Sequence, residues 1–496
     1  MTGNVIVRTA QGQVRGTAEG PAARFLGIPY AESPLVTGRF SAPVPHPAWS
    51  GVRDALAYGA TSAQPDRGVT LIPEPIIAGD NELNLNVYTP DPGRAGLPVL
   101  VWIHGGGFFG GGNASPWYKG TSFARDGVIL VSINYRLGAA GFLDLPGAPA
   151  NRAVLDWVRA LEWVQENIEA FGGDPGRVTI AGQSAGGGAC AALLAVPAAR
   201  GLFGQAICMS GGAGLLQTPE GVRDAASQLA GLLGLPLRLE ALEALPADTL
   251  VQAQQAVMSA RDEGPRDRAA VARALAGTRL PWAPWADGEV ISEAPLEALR
   301  SPQRSHVRLL AGATANEFNF IWAADEQITA DDVREGLAKA GMSAAGIASY
   351  LEAGEGKRPG GIVGQALTDR TFRVPAQEMA AAKAAAGGAA YTYDFRWAPA
   401  AGPLRGQSFH CLDVPFAFDL LSEAGVREAA GDAPPAALAA EAHGAWVRFV
   451  TDGDPGWTRY NTSARPVRVL DEGSATVEDP LRAERESWAF LSAASD

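Results

Sequence analysis

The chain has 496 residues, of which 47% are hydrophobic and 19% charged, the balance of an ordinary globular protein with ample material for a core. That length permits one elaborated domain or two, and we read one, because large α/β enzymes grow by insertions around a single sheet. A formal charge of -13 argues against nucleic acid or an anionic membrane as the main partner, since both would repel the surface.

From the N-terminus, residues 1 to 19 predict a hairpin: Val5 and Val7 alternate with polar partners, Gln11-Gly12-Gln13 turns, and Val14-Arg15-Gly16 returns. With no basic, apolar leader and no later run of ~18 uninterrupted apolar residues, the protein is expected in the cytoplasm. Residues 25 to 49 are rich in proline, which predicts no helix and a chain laid over the surface. Residues 59 to 80 are irregular, a loop long enough for a rim or lid. Residues 83 to 88 alternate as a half-exposed strand does, whereas residues 99 to 103 and 128 to 133 are near-continuous apolar runs, the mark of strands covered on both faces.

Between those two runs lies His104-Gly105-Gly106-Gly107-Phe108, with more glycine at Gly110, Gly111 and Gly112. No phosphate-binding pattern accompanies it. Such a loop presents bare backbone N–H groups to one point, as an oxyanion hole requires. Val154, Val158, Leu161, Val164, Ile168 and Phe171 then mark an amphipathic helix ending at Gly172-Gly173.

That helix feeds a β-branched strand, Arg177-Val178-Thr179-Ile180-Ala181, followed at once by Gly182-Gln183-Ser184-Ala185-Gly186 and a helix through Leu193 and Leu194. G-x-S-x-G alone is weak evidence. In a strand–turn–helix context it has the form of a nucleophile elbow, whose flanking glycines let the chain reverse while the serine Oγ projects into open space. Residues 205 to 209 predict a short strand, and residues 218 to about 281 a helical insertion capping the site. Strand character returns at 307 to 312, with Glu317 on the loop beyond. Residues 329 to 353 and 373 to 387 predict helices, 390 to 395 a strand with His410 on the loop after it, and 438 to 449 a helix before a polar tail. The three cysteines, Cys190, Cys208 and Cys411, lack metal-ligand spacing and fit reduced, mostly buried thiols.

Serine catalysis needs a base, a carboxylate that fixes the base's tautomer, and oxyanion donors. Of the five histidines, His104 belongs to the glycine loop, His46 to the proline-rich stretch, His306 precedes a strand and His443 rides a helix. His410 remains, and the order serine, acid, histidine is met by Ser184, Glu317 and His410, each just beyond a predicted strand.

H-G-G-G-F at 104 to 108, N-Y-R-L-G at 134 to 138, A-L-E-W-V-Q-E-N-I-E-A-F-G-G-D-P at 160 to 175, G-Q-S-A-G-G at 182 to 187, A-N-E-F at 315 to 318 and F-H-C-L-D-V-P-F-A-F at 409 to 418 together resemble the type B carboxylesterases, the family of bacterial para-nitrobenzyl esterases, liver carboxylesterases and cholinesterases. The resemblance spans nearly the whole chain. It implies an α/β-hydrolase fold (α/β class, mostly parallel sheet) over residues 1–496 and hydrolysis of small to medium, uncharged carboxylic esters through an acyl-enzyme. It further implies Ser184 as nucleophile, Glu317 as acid, His410 as base, the N–H groups of Gly106, Gly107 and Ala185 as the oxyanion hole, and no metal or organic cofactor. A silent binding module of the same fold, or a lipase or amidase with the same triad, is the alternative.

The resemblance also marks Arg39, Asp80, Arg136 and Asp156 as positions where the family keeps buried ion pairs. Three departures stand out: Gln183 where the family has glutamate, Phe318 where it has glycine, and Glu82 where secreted members have a half-cystine. Phe108, Phe109, Trp117, Phe318, Phe320, Trp322, Phe416 and Phe418 are candidates for an apolar substrate pocket, with core packing an equal alternative.

Overall fold

Strands that stay buried on both faces form the middle of one sheet. The computed structural model describes residues 3–20, 22–68, 70–262, 268–276, 280–323 and 325–489. The strands are β1 (Gly3–Arg8), β2 (Gln13–Glu19), β3 (Ala22–Pro29), β4 (Val52–Asp54), β5 (Asn84–Thr89), β6 (Leu97–Ile103), β7 (Ile129–Ile133), β8 (Gly173–Gln183), β9 (Gln205–Met209), β10 (Arg308–Thr314), β11 (Ala390–Phe395), β12 (Pro466–Leu470) and β13 (Ala475–Glu478). Their order is β1-β2-β3-β5-β7-β6-β8-β9-β10-β11-β12-β13, with β4 against β2. From β7 to β12 every neighbour is parallel, while both flanks are antiparallel. This is an α/β fold with a mostly parallel central sheet, and its parallel strands all end on one edge, where crossover sheets bind ligands.

The hairpin closes in the predicted place, with Val7 opposite Val14. The helix Arg152–Asn167 tightens into the 3-10 turn Ile168–Phe171 and stops at Gly172, whose φ of +90° suits glycine. The segment between β9 and β10 is helical at Pro219–Leu233, Leu239–Glu243, Ala247–Asp262 and Arg268–Ala276; the rest of the predicted insertion, at 263–267 and 277–279, lies outside the described residues.

Several expectations are corrected. The start of the proline-rich stretch is the buried strand β3, and a one-turn helix forms at Pro34–Thr37, because Ser33 caps it and Pro34 at its first position loses no needed N–H. Strand β5 is buried throughout rather than half-exposed. It lies between β3 and β7, and its polar face is consumed internally: Asn86 accepts from Gly27 N at 2.9 Å and donates to Ser132 Oγ at 3.1 Å. The helix Pro359–Thr368, hidden in sequence by its glycines, continues as a π-turn, Asp369–Arg373, into the helix Val374–Ala385. The polar tail carries β12, β13 and the helix Arg482–Trp488.

Arg136 and Asp156 form a buried bidentate pair, Nη2 to Oδ1 at 2.6 Å and Nε to Oδ2 at 2.9 Å. Arg39 and Asp80 do not pair among the described residues. Asp80 is exposed, and Arg39 donates through Nη2 to Leu245 O at 3.0 Å. The remaining guanidinium nitrogen of Arg136, Nη1, donates to Arg39 O at 3.1 Å, so the Arg136–Asp156 pair ties the N-terminal wrap to the core helix. Removing Asp156 strands a buried cation, and Asp156→Ala is expected to cost roughly 3–5 kcal/mol, read as the shift in the urea unfolding midpoint.

Candidate active site

Five chain segments meet at the carboxyl edge of the parallel strands. Strand β8 delivers Ser184, which has φ 59° and ψ -124°, a region that L-residues avoid. Its N–H still bonds Met209 O at 2.9 Å, continuing the pairing with β9, and its carbonyl accepts Gly188 N at 2.9 Å to start the helix Ala185–Leu193. As the helix N-cap residue, Ser184 makes no side-chain cap, so its Oγ is not spent on the helix it precedes. From Val178 to Val196, Ser184 is the one residue that is not buried.

The reversal requires missing side chains. A Cβ on Gly186 would overlap the Ile103 carbonyl, one on Gly182 the Gly186 backbone, and one on Gly211 the Ser184 carbonyl. A Cβ on Gly105 would sit 2.8 Å from Gln183 O and 3.2 Å from both Ser184 Cβ and Gln183 Oε1. The glycine loop after β6 therefore touches the elbow directly. Gly106 and Gly107 follow at φ +105° and +65°, part-exposed between buried neighbours. Gly106 O closes the turn by accepting Phe109 N at 3.3 Å and Gly110 N at 3.0 Å. Ala185 is the first residue of its helix, where an N–H lacks an intrahelical partner.

Glu317 follows β10 and is fully buried. One carboxylate oxygen accepts Thr314 N at 2.8 Å and the other meets His410 Nδ1, while His410 N donates to Glu317 O at 2.8 Å. Phe318 lies over the imidazole with ring centroids 4.3 Å apart, and Phe372, from the π-turn, packs at 5.3 Å. His410 Nε2 lies 3.3 Å from Gln183 Nε2, and the Cys411 thiol donates to Gln183 Oε1 at 3.4 Å. Glu317, His410 and the elbow are thus brought together, and the polar contact at Nε2 comes from the residue preceding Ser184.

Sequence reasoning missed four residues here. Phe372 and Gln365 sit in the unread helical stretch. Gln365 accepts from Asn316 at 3.1 Å and Asn319 at 2.9 Å and donates to Ala315 O at 3.1 Å and Asp369 at 3.0 Å, pinning the loop around Glu317. Cys411 has φ +72°. Asp413 accepts from Tyr393 OH at 2.7 Å, and burial pushes its carboxyl up to about 7, with the Tyr393 hydroxyl opposing and the Glu317 charge adding. The three-residue spacing from His410 to Asp413 was the available signal. Of the aromatic candidates, Phe318 covers the imidazole, whereas Phe108 packs on Phe142 and Trp157, Trp117 is buried, and Phe416 and Phe418 pack in the core.

The irregular segment 59–80 presses on the glycine loop. Gln64 exchanges two 2.8 Å bonds with Gly111, and Arg67, paired with Glu74, lies 5.2 Å over the Phe109 ring. All three cysteines are free and buried, and no described helix is long and apolar enough to cross a membrane.

A model of the carboxylesterase family matches residues 3–487. The chain is 33% identical to a para-nitrobenzyl esterase of Bacillus subtilis (strain 168), covering 98% of this chain and 99% of that protein. It is 33% identical, over 98% and 99%, to a phenmedipham hydrolase of Pseudarthrobacter oxydans. A solved structure of a PNB esterase superposes with a TM-score of 0.86 at 31% identity, covering 97% of this chain and 99% of that one.

His104 gives this edge a pH signature. Burial pushes it down to about 4, the Nδ1 bond to Gly105 O opposing and the Arg67 charge assisting, and it stacks on Tyr135 with centroids 4.4 Å apart. The unfolded chain takes up this proton near 6.5 and the native loop only near 4, so stability is lost as pH falls between those values, by roughly 3 kcal/mol in all. Urea midpoints at pH 7 and pH 5 are expected to fall less in His104→Gln than in wild type.

Proposed function

The chain belongs to the carboxylesterase family and hydrolyses carboxylic esters, and on that premise we propose that Ser184, His410 and Glu317 carry the reaction on small to medium, uncharged esters. His410 Nε2 takes the Ser184 proton, Oγ attacks the ester carbonyl, and the N–H groups of Gly106, Gly107 and Ala185 bind the oxyanion. His410 then protonates the departing alcohol, and water repeats the sequence on the acyl group. Glu317 keeps the proton on Nδ1 throughout.

The observation that carries this reading is the buried Glu317–His410 pair beside a serine held at positive φ with its Oγ unspent. The donors come at no reorganisation cost, because the close glycine contacts already hold the loop against the elbow. Residues 218 to 281 serve as the cap of a single domain spanning residues 1–496. The support is a short relay: Gln254 accepts Ala139 N at 2.9 Å, and Gly138 N donates to Phe108 O at 2.8 Å in the glycine loop.

Ser184→Ala is expected to reduce hydrolysis of para-nitrophenyl acetate to background. Glu317→Gln, which loses control of the tautomer, is expected to lower kcat by roughly 10³–10⁴-fold at little-changed KM, both read by steady-state kinetics. A Ser184→Ala protein as active as wild type defeats the assignment.

A further inference from the structure

The nitrogen of His410 that must accept the serine proton faces an amide nitrogen. Gln183 is fully buried, its Nε2 lies 3.3 Å from His410 Nε2, and two nitrogens at that distance bond only if one donates and the other accepts. The Glu317 carboxylate at Nδ1 fixes which: with the proton on Nδ1, Nε2 carries the lone pair and the amide N–H donates into it. An imidazolium would set an N–H against an N–H.

What stops the amide turning over is Cys411. Its Sγ contacts Gln183 Oε1 at 3.4 Å, and a thiol that keeps its hydrogen is a donor that Oε1 can accept and the amide nitrogen cannot. Burial, with the Glu317 and Asp413 carboxylates, holds this thiol well above its usual value, so it stays protonated. Cys411 takes up this post at φ +72°, a conformation costly for any residue but glycine.

The geometry points to Gln183, oriented by the Cys411 thiol, as a positioning residue that donates to the His410 Nε2 lone pair in the resting site, keeping the imidazole Nδ1-protonated until the Ser184 hydroxyl takes the amide's place. This rests on the reading of Ser184, His410 and Glu317 above. The titratable and charged groups around the imidazole are Glu317 from the loop after β10, Cys411 and Asp413 from its own turn, Tyr393 of β11 acting through Asp413, and Arg67 of the rim loop, whose charge reaches Cys411. Phe318 and Phe372 pack on the ring. A carboxylate at 183 would accept from an Nε2–H where the amide cannot, and would add a third buried acid to Glu317 and Asp413.

The test is the pH dependence of kcat/KM for para-nitrophenyl acetate with the full-length chain, from roughly pH 5 to pH 8. Gln183→Glu is expected to move the acid limb to higher pH by about one unit, a tenfold loss of activity on the acid side that recovers on the alkaline side. Cys411→Gly, which suits the positive φ and removes the S–H donor, is expected to move the limb in the same direction by less; Cys411→Ser, which keeps a donor, is expected to leave it in place. An acid limb unmoved in both Gln183→Glu and Cys411→Gly, with wild-type unfolding midpoints, overturns the proposal. If Gln183→Glu does not fold, Cys411→Gly against Cys411→Ser decides the matter, equal profiles overturning it. Ser184→Ala in the same assay separates the two readings: an active Ser184→Ala removes the triad, while an inactive one with unmoved limbs in the other variants removes only the role of Gln183.

Discussion

Ser184 is held at φ 59°, ψ -124°, a conformation that costs on the order of 1–3 kcal/mol for a residue with a Cβ, and the rest of the site depends on that cost being met by its neighbours. They meet it with backbone. The Ser184 N–H stays in the β8–β9 ladder through Met209 O, its carbonyl opens the following helix, and glycines at 105, 182, 186 and 211 let three segments approach the turn closely enough to fix it. The strain is therefore stored by a sheet interior whose strands β6, β8 and β9 must first be in register, Ile103 opposite Gly182 and Gly182 opposite Cys208.

The imidazole of His410 is fixed in a different way, by side chains drawn from distant parts of the chain. Glu317 takes one nitrogen and Gln183 the other, 93 and 227 residues away in sequence. The loops that carry Glu317 and His410 are themselves tied together: Asn316 accepts Ser408 N at 3.0 Å, and Gln365 holds Asn316 and Asn319 with every one of its amide capacities engaged. Behind Gln365, Asp369 accepts from Tyr350 at 2.9 Å and Arg373 at 2.7 Å, and Arg373 reaches Asp394 at the end of β11. A buried polar network of this kind fixes geometry only when fully satisfied. The π-turn that carries Arg373 also places Phe372 on the ring.

The charge pattern follows from the same crowding. Glu317 and Asp413 are both buried near His410, and burial already holds the Asp413 carboxyl high. A neutral side chain at 183 limits the negative charge in that space. The rim segment 59–80 places Arg67, paired with Glu74, over the outer face of the glycine loop.

The parallel core, the turn at Ser184 and the glycine loop are legible in the chain alone, because each is written in a local pattern: an apolar run, or a glycine cluster beside one serine. Local patterns failed where burial or pairing overrode them. Residues 84 to 89 alternate like a surface strand yet are buried, since Asn84 and Asn86 spend their amides inside, and β13, exposed along its length, has no apolar signature because it closes an edge of the sheet. What surrounds His410 is set by long-range contacts. Gln183, Cys411, Asp413, Gln365 and Phe372 meet there through contacts between residues far apart in the chain, and the bonds available to a side chain are settled by which atoms the fold puts opposite it.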